Sequence, residues 1–454
     1  MTGPSAPWKA SAASFAAGRR RAGKGRLAVL ALAPLLLAAA CTTTKAVATG
    51  GTSASASQSA AQGTTSGKGG AHRPARPPSA LTIVPADGST NVATDQVVTA
   101  RMAHGTVVHI SVSSAGTPVE GAMGSGGTWR STWALGVAQS YTVTATGVNT
   151  AGKTTTETST FRTLTPAQTF QTQIFEGYDL SYGVGMPIQL DFTQPIVDEA
   201  AVERSLQITT SKPVVGAWYW NGDQEVDFRP ETYWPSGTTV SFVGHFDGVE
   251  AAPGLYGFHT LTQTFRIGPS LIVVASTLTH YMDVYSNGTL LYHWPISTGR
   301  PGLDTPDGTY LTMAKANPQL MVGPGYSLEV PWSVRFTYSG DFLHDAYWSV
   351  YEQGSINVSH GCVNMPPADA EIYYNMAIQG DPVTIVGSPL AGKWGDGWTE
   401  WFLTWDQIVQ GSALGEAVEA GPHGSVFVNP ATLPHSHAAA PLTTSPANNS
   451  AATV

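Results

Sequence analysis

Between residues 80 and 267 the chain rarely keeps one pattern for more than eight residues. "VVHISV" (107–112), "YTVTATGV" (141–148), "PIQLDF" (187–192) and "TTVSFVG" (238–244) each alternate between apolar and polar positions. A period of two sends every second side chain to one face, as in a strand with one face buried and the other wet. "ADGST", "GSGGT" and "NTAGK" separate such runs, and their Gly, Asn, Asp and Ser content is turn chemistry. A fold of long helices is thereby excluded. Composition agrees: 49 Gly and 31 Pro against 12% charged residues leave little helix-forming material.

The run divides into two units, 80–164 and 165–267. Their length and strand spacing suit β-sandwiches of immunoglobulin-like type. In the second, "AWYWNGDQEVDFRP" (217–230) carries Asn221-Gly222 between aromatic strands, the signature of a hairpin. Neither unit offers a nucleophile, a ligand cluster or a phosphate loop, so their aromatics are expected in cores and cross-strand pairs. The formal net charge is −9 without a basic patch, which sets nucleic-acid binding aside.

From 268 to 387 the pattern changes but stays rich in strands. "SLIVVAS" (270–276), "YMDVYSNGTLLYHWPIST" (281–298) and "GTYLTMAK" (308–315) read as strands, with a hairpin turn at Asn287-Gly288. "SVRFTYSGDFLH" (333–344) reads as another strand ending at His344. "MPPADAEIYYNMAIQGD" (365–381) is a short helix, opened by Pro366 and Pro367 with Asp369 and Glu371 in its first turns. Gly380 is placed to cap it, and "PVTIVG" (382–387) is a closing strand. Residues 388–417 are rich in Trp, and 418–454 return to a low-complexity composition expected to be disordered.

The N-terminus reads as a targeting segment over 1–41. The basic "GRRRAGKGR" (18–26) precedes "LAVLALAPLLLAAAC", an apolar run that is short for a membrane span, is broken by Pro34 and ends in small residues. Cys41 after three alanines resembles the lipobox of bacterial lipoproteins. The resemblance implies cleavage before Cys41, acylation of its thiol and a lipid anchor on the outer face of the cell membrane. Residues 42–79 are Ser, Thr, Ala, Gly and Pro with few apolar side chains, the composition of a flexible tether.

Only two cysteines exist in 454 residues. With Cys41 acylated, Cys362 has no disulfide partner, and a lone thiol outside the cell is a candidate reactive group. It lies in "NVSHGCVN" (357–364). A thiol attacks as thiolate and needs a base within reach. His360, two residues before it, would share its face in an extended segment; His344, 18 residues upstream, is the other possibility. The residues alone do not choose between them. The backbone N–H groups of His360, Gly361 and Cys362 are available for an oxyanion site, and Gly361 permits close approach of a carbonyl.

The run from His344 to Met365, with its Ser359-His360-Gly361-Cys362-Val363-Asn364 core, resembles the signature of L,D-transpeptidases, which cross-link peptidoglycan through a cysteine. "PISTGRPGLDTPDGTY" (295–310) extends the resemblance. The whole layout of lipoprotein signal, tether, two immunoglobulin-like domains, catalytic domain and Trp-rich end is similar to actinobacterial members. The resemblance implies a mainly β chain in which a short helix follows the catalytic Cys. The Trp-rich subdomain would pack back on the catalytic unit.

The resemblance further implies Cys362 as nucleophile and His344 as general base, its second nitrogen held by the backbone carbonyl of Asp345. His360, Gly361, Asn364 and Ser359 would line the site, and Tyr326 would face the substrate. The segment from Met321 to Tyr326, where relatives build a lid, is short. The implied reaction is attack on a donor tetrapeptide stem of peptidoglycan, release of D-Ala through a thioester, and capture by a second stem in a 3→3 cross-link. No metal or organic cofactor is required, and carbapenem β-lactams are implied as covalent inhibitors of Cys362. Hydrolysis of the stem, attachment of a protein to peptidoglycan, or a non-catalytic wall-binding lipoprotein are the alternatives on the same scaffold.

Overall fold

A computed structural model describes residues 80–323 and 326–433. The expectations for the targeting segment, for Cys41 and for the tether lie outside the described residues. The molecule is mostly β, with the strands arranged as two sandwiches and a third unit over 268–387, the expected catalytic unit.

In the first sandwich, strands Leu81–Val84, Val98–Met102, Thr128–Ser131 and Gly121–Gly124 face a sheet built on Gly105–Ser114, Ser140–Asn149 and Thr154–Thr163. The alternation read from "YTVTATGV" is the reason: Tyr141, Val143 and Ala145 are buried, while the residues between them are not. They pack with Val98, Ile110, Val112, Trp129 and Phe161.

The second sandwich has an aromatic core of Trp218, Phe228, Trp234, Phe242 and Phe265. Strands Val214–Trp220 and Glu225–Pro230 form the hairpin around Asn221-Gly222, with Gly222 at φ +84°. Residues 418–433, expected as part of a disordered tail, are ordered. Ala417–Gly421 pairs antiparallel with Val214–Trp220, and Gly424–Val428 pairs with Ala417–Gly421. These residues close an edge of the sheet that would otherwise expose unpaired backbone, and they bury Val418 and Ala420 in its core. Val418→Asp is therefore expected to cost about 3 kcal/mol by placing an unpaired charge there. A thermal melt checks this.

In the catalytic unit one sheet runs through Thr289–Pro295, Tyr281–Ser286, Leu271–Ser276, Pro382–Val386 and Gly308–Leu311. Asn287 and Gly288 both have positive φ, at +47° and +79°, as a two-residue hairpin of this twist requires. A second sheet carries Lys315–Ala316, Ser333–Arg335, Phe342–Asp345 and Val363–Met365. "SVRFTYSGDFLH" is thus two antiparallel strands, not one. Thr337 Oγ1 accepts the N–H groups of Gly340 and Asp341 at 3.2 and 2.8 Å, and Gly340 at φ +113° reverses the chain. The helix Pro367–Met376 seats Ala370 and Tyr373 in the core between these strands. It ends four residues before Gly380, so Gly380 is not its cap. Ala377 is already extended, and Gly380 instead meets the second sandwich, where its carbonyl accepts from Gly185 N–H at 3.0 Å.

The Trp-rich segment bridges two units instead of covering one. Trp398 is buried in the core of the second sandwich, and Trp401 Nε1 donates to the Gly185 carbonyl at 2.7 Å. Arg229 Nη1 donates to the carbonyls of Glu400 and Leu403. Phe402 meets Tyr310 of the catalytic unit edge-on at 5.0 Å.

Candidate active site

Parallel pairing of Phe342–Asp345 with Val363–Met365 sets His344 opposite Asn364. Cys362 lies two residues before Asn364, so the strand period brings the thiol to the face of the sheet that carries His344. His344 is buried. Its Nδ1 lies 2.7 Å from the Asp345 carbonyl oxygen. A carbonyl only accepts, so Nδ1 carries the hydrogen and Nε2 keeps a free lone pair. Burial drives the pKa of this ring down to about 4, against a smaller upward pull from that hydrogen bond. The Asp345 carboxyl is raised by its own burial, and its Oδ1 has no hydrogen-bond partner among the described residues. The contact to His344 is made by the Asp345 backbone. The Trp348 ring lies 5.9 Å from that of His344.

The thiol packs close to backbone, with Sγ 3.8 Å from the Gly340 carbonyl oxygen. Burial pushes the Cys362 thiol up to about 12, and the negative charge of Asp341 adds to this, while the Phe342 N–H opposes it. Both shifts favour the uncharged forms, a neutral histidine and a protonated thiol.

The turn ahead of the thiol is latched at three points. Ser359 Oγ donates to the Cys362 carbonyl at 2.6 Å and accepts from the Gly361 N–H at 3.2 Å. Thr305 Oγ1 donates to the Gly361 carbonyl at 2.6 Å. Gly361 has φ +133°, and a Cβ there would fall 2.4 Å from Asp341 Oδ1, so this position needs glycine on both counts. Two readings change as a result. The Gly361 N–H is committed to Ser359, which removes it from the candidate oxyanion donors. The turn at Gly361 also breaks the extended run that would have set His360 and Cys362 on one face. His360 is exposed, with Nδ1 3.3 Å from Arg300 Nη1 and its ring 5.4 Å from that of Tyr326. Its pKa is lowered, by partial burial first and by the Arg300 charge second.

Tyr326 begins the second strand of a hairpin, Gln319–Gly323 with Tyr326–Val330, and is 40% exposed. It therefore presents an accessible ring beside His360. Asn364 is buried, and its Nδ2 donates to Ser349 Oγ at 2.9 Å. It anchors the turn Tyr347–Ser349 instead of lining open space.

Sequence reasoning passed over Arg300, Thr305, Asp341 and Ser349. Arg300 and Thr305 lie inside the quoted 295–310 run, but nothing in that run marks their long-range partners. Among the described residues no group of three or more His, Cys, Asp or Glu side chains is placed to hold a metal ion.

Comparison with known proteins bears on the family. Residues 270–385 match the family described as the L,D-transpeptidase catalytic domain, and residues 89–250 match a bacterial Ig domain. L,D-transpeptidase 2 of Mycobacterium tuberculosis is 34% identical over 348 residues, which is 73% of this chain and 85% of that protein. L,D-transpeptidase 5 of the same species is 33% identical over 357 residues, 75% of this chain and 78% of that protein. A solved LD transpeptidase in complex with imipenem is 34% identical, with a TM-score of 0.42 covering 49% of this chain and 100% of that one. Two sandwiches ahead of a matched catalytic domain, and relatives aligned over most of their length, place this chain in the L,D-transpeptidase family.

Proposed function

We propose that this transpeptidase joins peptidoglycan stems in 3→3 cross-links through a thioester on Cys362, with His344 as general base. The observation that carries the reading is the fixed tautomer of His344: Nδ1 is spent on the Asp345 carbonyl, so Nε2 keeps its lone pair on the face of the sheet that the strand period gives to the thiol. The thiol proton passes to Nε2 as Sγ attacks the carbonyl of the diamino-acid residue in a donor tetrapeptide. The N–H groups of His360 and Cys362 stabilise the oxyanion. His344 returns the proton to the departing D-Ala amine, and the amine of a second stem then attacks the thioester. Purified protein incubated with defined tetrapeptide stems tests this by mass spectrometry. A dimer with loss of D-Ala is the expected product; trimmed stems alone would replace cross-linking by hydrolysis.

On this reading the thiolate is not formed in advance. Alkylation of Cys362 by iodoacetamide should be slow at neutral pH and climb steadily through the alkaline range, because deprotonation lies near 12. A plateau reached below pH 8 would mean a preformed thiolate–imidazolium pair. The same thiol is the expected site of carbapenem acylation, read as a mass shift on the peptide containing Cys362.

The anchor belongs to the same proposal. A lipid on Cys41 would hold the enzyme at the outer membrane face, with the two sandwiches as a spacer into the wall. The junction of the sandwiches suits that role. Asp247 accepts from the Val137 N–H and Gln139 Nε2 at 3.2 and 2.8 Å, and Trp133 stacks on His245 at 3.8 Å. Cys41→Ser is expected to move the protein from the membrane fraction to the medium or wall. An unchanged distribution would remove the anchor from the proposal.

A further inference from the structure

Asp341 stands one residue from the carbonyl that touches the thiol, and its two carboxylate oxygens have different surroundings. Oδ2 accepts from Thr337 Oγ1 at 2.9 Å and Ser339 Oγ at 3.4 Å, which fixes the group. Oδ1 accepts no hydrogen bond among the described residues. It faces the Cα of Gly361, and apart from Asp341 nothing outside the neighbouring residues lies within 4 Å of the point where a Cβ on Gly361 would sit. A held carboxylate thus turns one free oxygen toward open space at the turn that carries the nucleophile.

This placement is unfavourable for the first half of the reaction, since the Asp341 charge opposes formation of the thiolate. The second half has a different need. The acceptor is a primary alkyl amine, an ammonium at neutral pH, and it has no lone pair until a proton is removed. His344, whose basicity burial has reduced, is poorly suited to collect that cation, whereas a carboxylate attracts it. Resting on the cross-linking reading above, we infer that Asp341 Oδ1 binds the ammonium of the acceptor stem beside Gly361 and takes the proton that frees its lone pair. The amine then forms the C–N bond to the thioester carbonyl and the C–S bond breaks. The second amine proton passes through His344 to the Cys362 sulfur, and Asp341 gives its proton to solvent. Water carries no positive charge, so the same oxygen favours aminolysis over hydrolysis.

The charged groups facing Asp341 are compatible with this role. Asp396 acts against its ionisation and Arg335 in favour, while burial, the larger effect, raises its pKa and makes it a stronger base than a free carboxylate. Arg335 does not neutralise it outright, because its Nε and Nη2 donate to the carbonyls of Thr337 and Tyr338.

The test compares wild type with Asp341→Asn, which keeps the size of the side chain and an oxygen for Thr337. Each is given donor tetrapeptide with rising concentrations of alkylammonium acceptor stem, and dimer and trimmed tripeptide are quantified by mass spectrometry. The ratio of dimer to trimmed product should fall at least about tenfold in the variant. Carbapenem acylation should hold or quicken, and the alkylation profile of Cys362 should move to lower pH. With hydroxylamine, a nucleophile already neutral at pH 7, the two proteins should partition alike. Should thermal melting show that the Asn variant does not fold, Asp341→Ser carries the same expectations. An unchanged dimer-to-trimmed ratio, or an equal loss with hydroxylamine and with the alkylammonium stem, overturns the inference. A wild type that makes trimmed product but no dimer removes the cross-linking reading, and this inference with it.

Discussion

Cys362→Ala is expected to abolish formation of both dimer and trimmed product, a loss on the order of 10⁴- to 10⁶-fold in turnover, while the protein still folds. The two halves of the expectation have separate grounds. Loss of turnover follows because no other side chain at the site can form the acyl intermediate: the neighbouring hydroxyl of Ser359 is committed to the Cys362 carbonyl. Survival of the fold follows because Sγ contributes little to it. It meets the Gly340 carbonyl at long range and the N–H of Phe342, contacts together worth about 1 kcal/mol. The latch through Ser359 and Thr305 binds backbone atoms and is left intact by the substitution. Intact-mass analysis after exposure to a carbapenem gives a second readout. Wild type should gain the mass of the drug and the variant should not. Wild-type turnover in the variant, or drug bound to it covalently, would place the nucleophile elsewhere.

The sequence made some of this site legible and hid the rest for physical reasons. Cys362 and His344 stood out because a lone thiol and a histidine at family spacing are chemical features of residues themselves. The hairpin at Asn287-Gly288 was equally local, since positive φ at two successive positions demands such residues. What escaped depended on contacts distant in the chain. "EAVEAGPHGSVFV" (416–428) has the small-residue composition of a linker, and it becomes sheet only because the edge at Val214–Trp220 lies open to it. The placement of Asp341 was masked by reading 333–344 as one strand. The turn made by Thr337 and Gly340 is what brings that carboxylate beside Gly361. Availability of the Gly361 N–H also looked plausible until the Ser359 side chain was seen to claim it.

The choice of base can be decided by three substitutions read together. His344→Ala removes a ring that is buried, so it opens a cavity and its effect mixes chemistry with packing. His344→Gln avoids most of that. Its amide can still donate to the Asp345 carbonyl and fills similar space, but it has no basic nitrogen at the position of Nε2. If His344 acts by taking the thiol proton, both variants should lose between about 10² and 10⁴ in kcat/KM, the range for removal of a positioned base. The Gln variant should retain more of the melting temperature. His360→Ala should fall by no more than about tenfold, because that ring is exposed beside Arg300 and Tyr326. The pH dependence separates the roles again. With His344 in place, acylation should change little with pH above the titration of its ring near 4; without it, the rate should climb about tenfold per pH unit until the thiol ionises unaided toward pH 12, since only preformed thiolate can then attack. Removing His360 should leave the shape of that profile as it was. A severe loss for His360→Ala beside a mild one for His344→Gln would transfer the base to His360, and the neutral pair built on the Asp345 carbonyl would then be a packing arrangement without a part in proton transfer.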